Sequence, residues 1–263
     1  MNSPFSQSNS TWLNKVPEAT VGFWIIKIMS TTVGETVADY LAVSAGLGKP
    51  VTNGIMATLL TIALFVQLRS RHYTPWMYWL TVVLVSVVGT QITDTLTDGF
   101  KISLFVTTPI FFVGLIAIFT IWYKSEGTLS IHTITTRRRE LFYWSCILCT
   151  FALGTAAGDL TTEALSLGFQ LGTIAFGILI AITWIAFRYG ANAVLTFWVA
   201  YILTRPLGAS LGDLLSQAKT YGGLGLGAMT TSIIFLTVIV GLVTLAQIDA
   251  NKSRKVTTTQ KFD

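Results

Sequence analysis

The sequence predicts an all-α polytopic membrane protein with eight transmembrane helices, arranged as four parallel two-helix repeats. Three observations carry this expectation. The chain is 52% hydrophobic and 11% charged, with a mean hydropathy of +0.65, whereas a soluble domain carries about 25% charged residues. Eight apolar stretches of roughly the 17 to 25 residues needed to cross a bilayer fall near Val21–Val43, Thr52–Leu68, Trp76–Leu96, Ile102–Tyr123, Leu141–Thr162, Phe169–Phe187, Asn192–Leu215 and Leu224–Gln247. One skeleton recurs in the odd stretches, as Trp24/Gly34/Asp39, Trp79/Gly89/Asp94, Trp144/Gly154/Asp159 and Trp198/Gly208/Asp213.

Each repeat is a pair of stretches, so the chain returns to its starting side before the next repeat begins. Successive repeats therefore share one orientation and are related by rotation about the membrane normal. Residues 1–20 are polar (SQSNSTWLNK) and lack the apolar core and cleavage site of a signal peptide, which suggests a cytoplasmic N-terminal segment. Residues 21–123 form a first half, the basic run KSEGTLSIHTITTRRRE at 124–140 a cytoplasmic loop, 141–247 a second half and 248–263 a tail. Lys15, Arg69, Arg71, Lys124, Arg137, Arg138, Arg139, Arg188, Lys252, Arg254, Lys255 and Lys261 fall on one side, against Lys49, Lys101 and Lys219 on the other. This bias puts both termini in the cytoplasm. At 1.5 Å per residue, glycine lies about 15 Å and aspartate about 22 Å beyond tryptophan. The tryptophans are thus expected at the cytoplasmic interface, the glycines near mid-membrane and the aspartates in the outer half.

Four intramembrane carboxylates are the chemical signal, because ionisable groups in a bilayer are costly and mark ion or proton paths. Asp39, Asp94, Asp159 and Asp213 share one depth and are expected to form a ring or two facing pairs. Glu35, Asp98 and Glu163 each stand four residues from one of them, on the same helical face. Such oxygen-rich faces suit hard or borderline cations, and crowded carboxylates can exchange a proton for a metal. The seven acids are therefore candidate metal ligands, with Glu35, Asp98 and Glu163 as secondary ligands or proton carriers. The bland reading is that the aspartates cap helices or pair with Lys27 and Arg205.

Lys27 and Arg205 are the charge-compensating candidates, and they break the fourfold pattern. Val82, Ile147 and Tyr201 match Lys27; Thr31, Ser86 and Phe151 match Arg205. Lys27 is expected to snorkel to the interface. Arg205 either neutralises a carboxylate when the site is empty or makes a structural salt bridge, and Pro206 should kink or interrupt the helix. The four glycines read first as points of close helix approach, with local unwinding as the lesser alternative. Cys146 and Cys149 read as ordinary buried cysteines, since no further soft ligand is nearby. His72 and His132 fall in loops, and the run Gly222, Gly223, Gly225, Gly227 fits no phosphate loop. No H-E-x-x-H, G-x-S-x-G or P-loop motif is present, so neither an enzyme nor ATP-driven transport is expected.

The segment KVPEATVGFWIIKIMSTTVGETVADYLA and the repeats from Lys15 to Asp249 resemble a family of bacterial membrane proteins. That family is built from four tandem two-helix repeats of unknown function, each with a characteristic tryptophan. The resemblance implies a multi-pass protein of the bacterial inner membrane and carries no catalytic residues across. The expected function is secondary-active, proton-coupled cation transport, first of all export of a divalent metal such as manganese. Alternatives are a monovalent-ion or proton channel or transporter, and a non-transporting scaffold or sensor. The expected partners are lipids, the transported cation and protons, not nucleic acid, in a monomer or small homo-oligomer; no cofactor is implied.

Overall fold

Apolar stretches bounded by glycine, proline and polar residues fold into eight α-helices among the described residues of this computed structural model. These residues are 14–41, 48–70 and 72–259; the side chains of Asp39, Glu163 and residues 253–259 lie outside the described set. The helices are α1 (Val21–Asp39), α2 (Lys49–Arg69), α3 (Pro75–Asp94), α4 (Leu104–Glu126), α5 (Arg137–Asp159), α6 (Gly168–Arg188), α7 (Ala193–Ser216) and α8 (Ala228–Thr259). Seven of them, α2 to α8, are long and apolar enough to cross a membrane. The remaining helix, α1, has 19 residues but carries Lys27 and Glu35 in its middle.

The odd helices form a closed inner ring. α1 packs on α3, α3 on α5, α5 on α7, and α7 back on α1. The contacts repeat residue for residue. A Cβ on Gly34 would collide with Ser86, one on Gly89 with Phe151, one on Gly154 with Arg205, and one on Gly208 with Thr31. Ser86, Phe151, Arg205 and Thr31 each stand three residues before the glycine of their own helix. One head-to-tail contact is thus used four times and closes, as in a cyclic oligomer. The glycines are points of close approach, as small residues are in membrane bundles.

The even helices clad this ring, each packing on the first helix of the following repeat: α2 on α3, α4 on α5, α6 on α7, and α8 on α1. Their outward faces are apolar and exposed, as at Leu171, Ile174, Ile178, Ile182 and Ile185 of α6. An apolar surface of this extent is that of a membrane protein with transmembrane helices. Trp76 and Trp184 are exposed and Trp24 is half-buried, but the other three skeleton tryptophans are not lipid-facing anchors. Trp79, Trp144 and Trp198 are buried and pack against Tyr78, Tyr143 and Phe197, and the Trp198 indole donates to Leu129 O at 2.9 Å. Lys15, expected only as a topology signal, is buried and donates to Glu140 at 2.6 Å and to Leu68 O at 3.2 Å. It ties the N-terminal segment to the starts and ends of helices at the tryptophan end.

Two further expectations are corrected. Of the two effects expected of Pro206, interruption does not occur: α7 continues through it, the proline ring lying over Gly154 and Gly158. The last helix starts at Ala228 rather than Leu224, because Gly222, Gly225 and Gly227 adopt φ of 86°, 80° and 81°, which glycine enters at no steric cost. This glycine turn caps α7. The amides of Leu224, Leu226, Gly227 and Gly225 donate to the carbonyls of Leu214, Leu215, Ser216 and Gln217 at 2.7 to 3.1 Å, satisfying carbonyls that the helix end leaves without intrahelical partners.

The ring makes a direct prediction. Gly89→Ala, which forces a Cβ against the Phe151 and Ala152 backbone at 3.2 and 3.3 Å, should destabilise the protein by about 1 to 3 kcal/mol. Gly54→Ala, with nothing within 4 Å, should be neutral or slightly stabilising. Thermal unfolding in detergent measures both, and equal stabilities would contradict the ring.

Candidate functional site

Because the ring contact is repeated, residues four apart on each odd helix stack as layers along its axis. From the tryptophan end these are Phe23/Tyr78/Tyr143/Phe197, Lys27/Val82/Ile147/Tyr201, Thr31/Ser86/Phe151/Arg205, Glu35/Thr90/Thr155/Ala209 and Asp39/Asp94/Asp159/Asp213. Within the first four layers every residue is buried except Phe197, which is half-buried. At the aspartate layer the protein opens: Asp94 and Asp159 are half-buried and Asp213 is buried. Asp39 closes the layer by position, but its side chain lies outside the described residues.

Arg205 is the centre of the site. Its guanidinium extends one layer toward the aspartate end, where its own helix offers only Ala209, and meets the other three members of that layer. It donates to Glu35 Oε2 at 3.1 Å, to the Thr155 hydroxyl at 2.6 Å and to the Thr90 hydroxyl. It also donates to the carbonyls of Thr31 at 3.0 Å and Phe151 at 3.3 Å. Thr90 in turn donates to Glu35 Oε2 at 3.2 Å. Arg205 is fully buried and Glu35 nearly so, so one ion pair binds all four ring helices. Asp159 and Asp94, one layer further out, add their attraction to that of Glu35 on the guanidinium.

Lys27 does not snorkel. It is fully buried, facing the axis, with Nζ 3.8 Å from the centre of the Phe151 ring, 4.3 Å from that of Tyr201 and 3.3 Å from the Thr31 hydroxyl. Beyond it, Tyr78 and Tyr143 share a 2.5 Å hydroxyl contact. The axis therefore runs from aromatic residues through two cations to carboxylates.

Asp98 leaves the site. Counting four residues from Asp94 assumes α-helical geometry, but Thr95–Gly99 is a π-helical turn, which rotates Asp98 to the exposed surface, where it pairs with Lys49 at 2.6 Å. A similar widening follows Asp159, at Leu160–Ala164. It contains Glu163, whose side chain lies outside the described residues. Cys146 is buried and Cys149 half-buried, both unbridged. Among the described residues no three His, Cys, Asp or Glu side chains are gathered closely enough to hold a metal ion. Thr90 and Thr155 belong to the site although spacing pointed only to the acids. Aligning the repeats residue by residue would have found them, since both follow a skeleton glycine, as Glu35 does.

Removing one partner from a buried ion pair leaves the other charge uncompensated. Glu35→Ala should therefore cost about 3 to 5 kcal/mol, whereas Lys49→Met, which breaks the exposed pair with Asp98, should cost less than ~1 kcal/mol. Unfolding in detergent compares them; a Glu35→Ala protein as stable as Lys49→Met would contradict this account of Arg205.

Comparison with known proteins adds a family and no activity. A family described as a repeat of unknown function (DUF347) matches residues 22–73, 77–128, 142–190 and 196–248. Each match begins near an odd helix and ends within or just after the even helix that follows. No curated protein and no solved structure matches the chain. The four tandem matches cover most of the sequence, and the chain belongs to this family, described as a repeat of unknown function.

Proposed function

We propose that the protein is a secondary-active cation transporter of the bacterial inner membrane, with eight membrane spans and with the tryptophan end and both termini in the cytoplasm. The observation that carries the proposal is the buried Arg205–Glu35 pair on the axis beneath a partly open layer of aspartates. Buried charge inside an apolar protein is costly and weak as a stabiliser. A scaffold has no need of it there, since apolar side chains of similar volume hold a core as well or better. A transporter gains from it, since an ion pair that can exchange partners is a two-state element. A cation among Asp39, Asp94, Asp159 and Asp213 attracts Glu35 and repels Arg205, loosening the contacts that close the ring.

The carboxylates and hydroxyls are hard oxygen donors suited to a divalent metal such as manganese. In the closed arrangement such an ion would be met by one or two carboxylates with water, and further ligands would follow as Arg205 moves. The carboxylates bind cation; they perform no reaction, and the protein is proposed as a transporter rather than an enzyme.

In proteoliposomes carrying a trapped Mn²⁺ indicator, Asp94→Asn, Asp159→Asn and Asp213→Asn should each lower Mn²⁺ flux at least tenfold without loss of folded protein. Flux of Na⁺ or K⁺ in place of Mn²⁺ would redirect the proposal to a monovalent ion. Unchanged flux in all three variants, or no flux of any of these ions through the unmodified protein, would overturn it in favour of a scaffold or sensor.

A further inference from the structure

The axis holds a second buried cation that the Arg205–Glu35 pair leaves unexplained. Lys27 makes no ion pair among the described residues; its ammonium rests on two aromatic faces and the Thr31 hydroxyl. The titratable or charged groups around it are Tyr201 and Arg205 from α7, Tyr143 from α5 and Tyr78 from α3. α8, which packs on α1, carries none before Asp249, and Glu35 on α1 itself is two turns away and engaged by Arg205. No neighbour supplies a dedicated negative charge. The turn of α1 that precedes Lys27 forms one wall of a cavity of about 470 Å³ at the tryptophan end, lined by Phe23, Ile26, Trp79, Glu18 and Asp249 among others. Lys27 is not itself among the lining residues; Ile26 and, one turn earlier, Phe23 are its nearest neighbours along α1 that are.

We propose that Lys27 is the proton-exchanging group that couples cation movement to protons. This inference rests on the transport reading. A fixed positive charge on a narrow axis is a barrier to cations. Lys27 removes that barrier by losing one proton from Nζ toward the tryptophan end as a cation passes along the axis toward the aspartate side, and the neutral amine takes a proton back from the aspartate side once the cation has left there. One proton thus crosses opposite to each cation; for a divalent ion it offsets one of the two charges, and the carboxylate of Glu35 faces the other. Lysine is suited to this and arginine is not, because a guanidinium stays charged.

The experiment measures Mn²⁺ flux and internal pH together in proteoliposomes of the full chain. Lys27→Met should lower the protons moved per Mn²⁺ at least fivefold and leave the residual flux insensitive to an imposed pH gradient, while Lys27→Arg should abolish both movements. Lys27→Gln replaces Lys27→Met if the latter does not elute as folded protein. Wild-type proton coupling in the Met or Gln variant would overturn the inference and leave the transport reading standing. Absence of wild-type flux would sink the transport reading instead, and ¹⁵N NMR of the lysine Nζ then decides on Lys27. A resonance lost in Lys27→Arg that switches between ammonium and amine from pH 5 to pH 10 supports proton exchange; an ammonium throughout that range overturns it.

Discussion

The close approach of Gly34, Gly89, Gly154 and Gly208 to the neighbouring helix is the constraint on which the rest of the structure depends. Each glycine admits the residue three positions before the next glycine, and the fourth contact returns to the first helix. This one step, repeated, fixes helix spacing, register and closure together. It also leaves an axis narrow enough to be filled by single side chains, one from each repeat in every layer. A substitution in one repeat is therefore felt at the axis without a counterpart in the other three. Duplication made the frame, and divergence at single layer positions made the site.

Arg205 shows how that works. The equivalent residues are Thr31, Ser86 and Phe151, and one layer beyond, the ring offers Glu35, Thr90, Thr155 and Ala209. The small fourth member leaves room for the guanidinium, and the other three supply a carboxylate and two hydroxyls. Five hydrogen bonds, one of them also the ion pair with Glu35, satisfy the group inside a protein whose outer surface is apolar. The same constellation closes the axis between the aspartate layer and Lys27, so stability and closure depend on one residue.

Helix content and the four repeats were legible in the sequence, because hydropathy and skeleton spacing report them directly. Lys27 was misread because snorkelling requires a path along a lipid-facing surface, and its face was not known until the ring fixed it. The tryptophans were misread for a related reason. A preference for membrane interfaces applies to exposed rings such as Trp76 and Trp184, whereas Trp79, Trp144 and Trp198 sit beside the aromatic layer and pack between helices. Asp98 was misplaced because a spacing of four holds only while the helix stays α, and the π turn at Thr95–Gly99 breaks that rule. Thr90 and Thr155 carry no charge, and the spacing of the acids does not point to them. Their role depends on a guanidinium more than a hundred residues distant from Thr90.

The central claim, that the ring axis is a cation path closed by Arg205, is tested most directly by a crystal structure of the protein grown with Mn²⁺, using the metal's anomalous scattering. The account predicts an anomalous peak on the axis, on the aspartate side of Arg205 and within reach of Asp94, Asp159 or Asp213. A peak confined to surface carboxylates such as Asp98, or no peak in the protein at all, would contradict it.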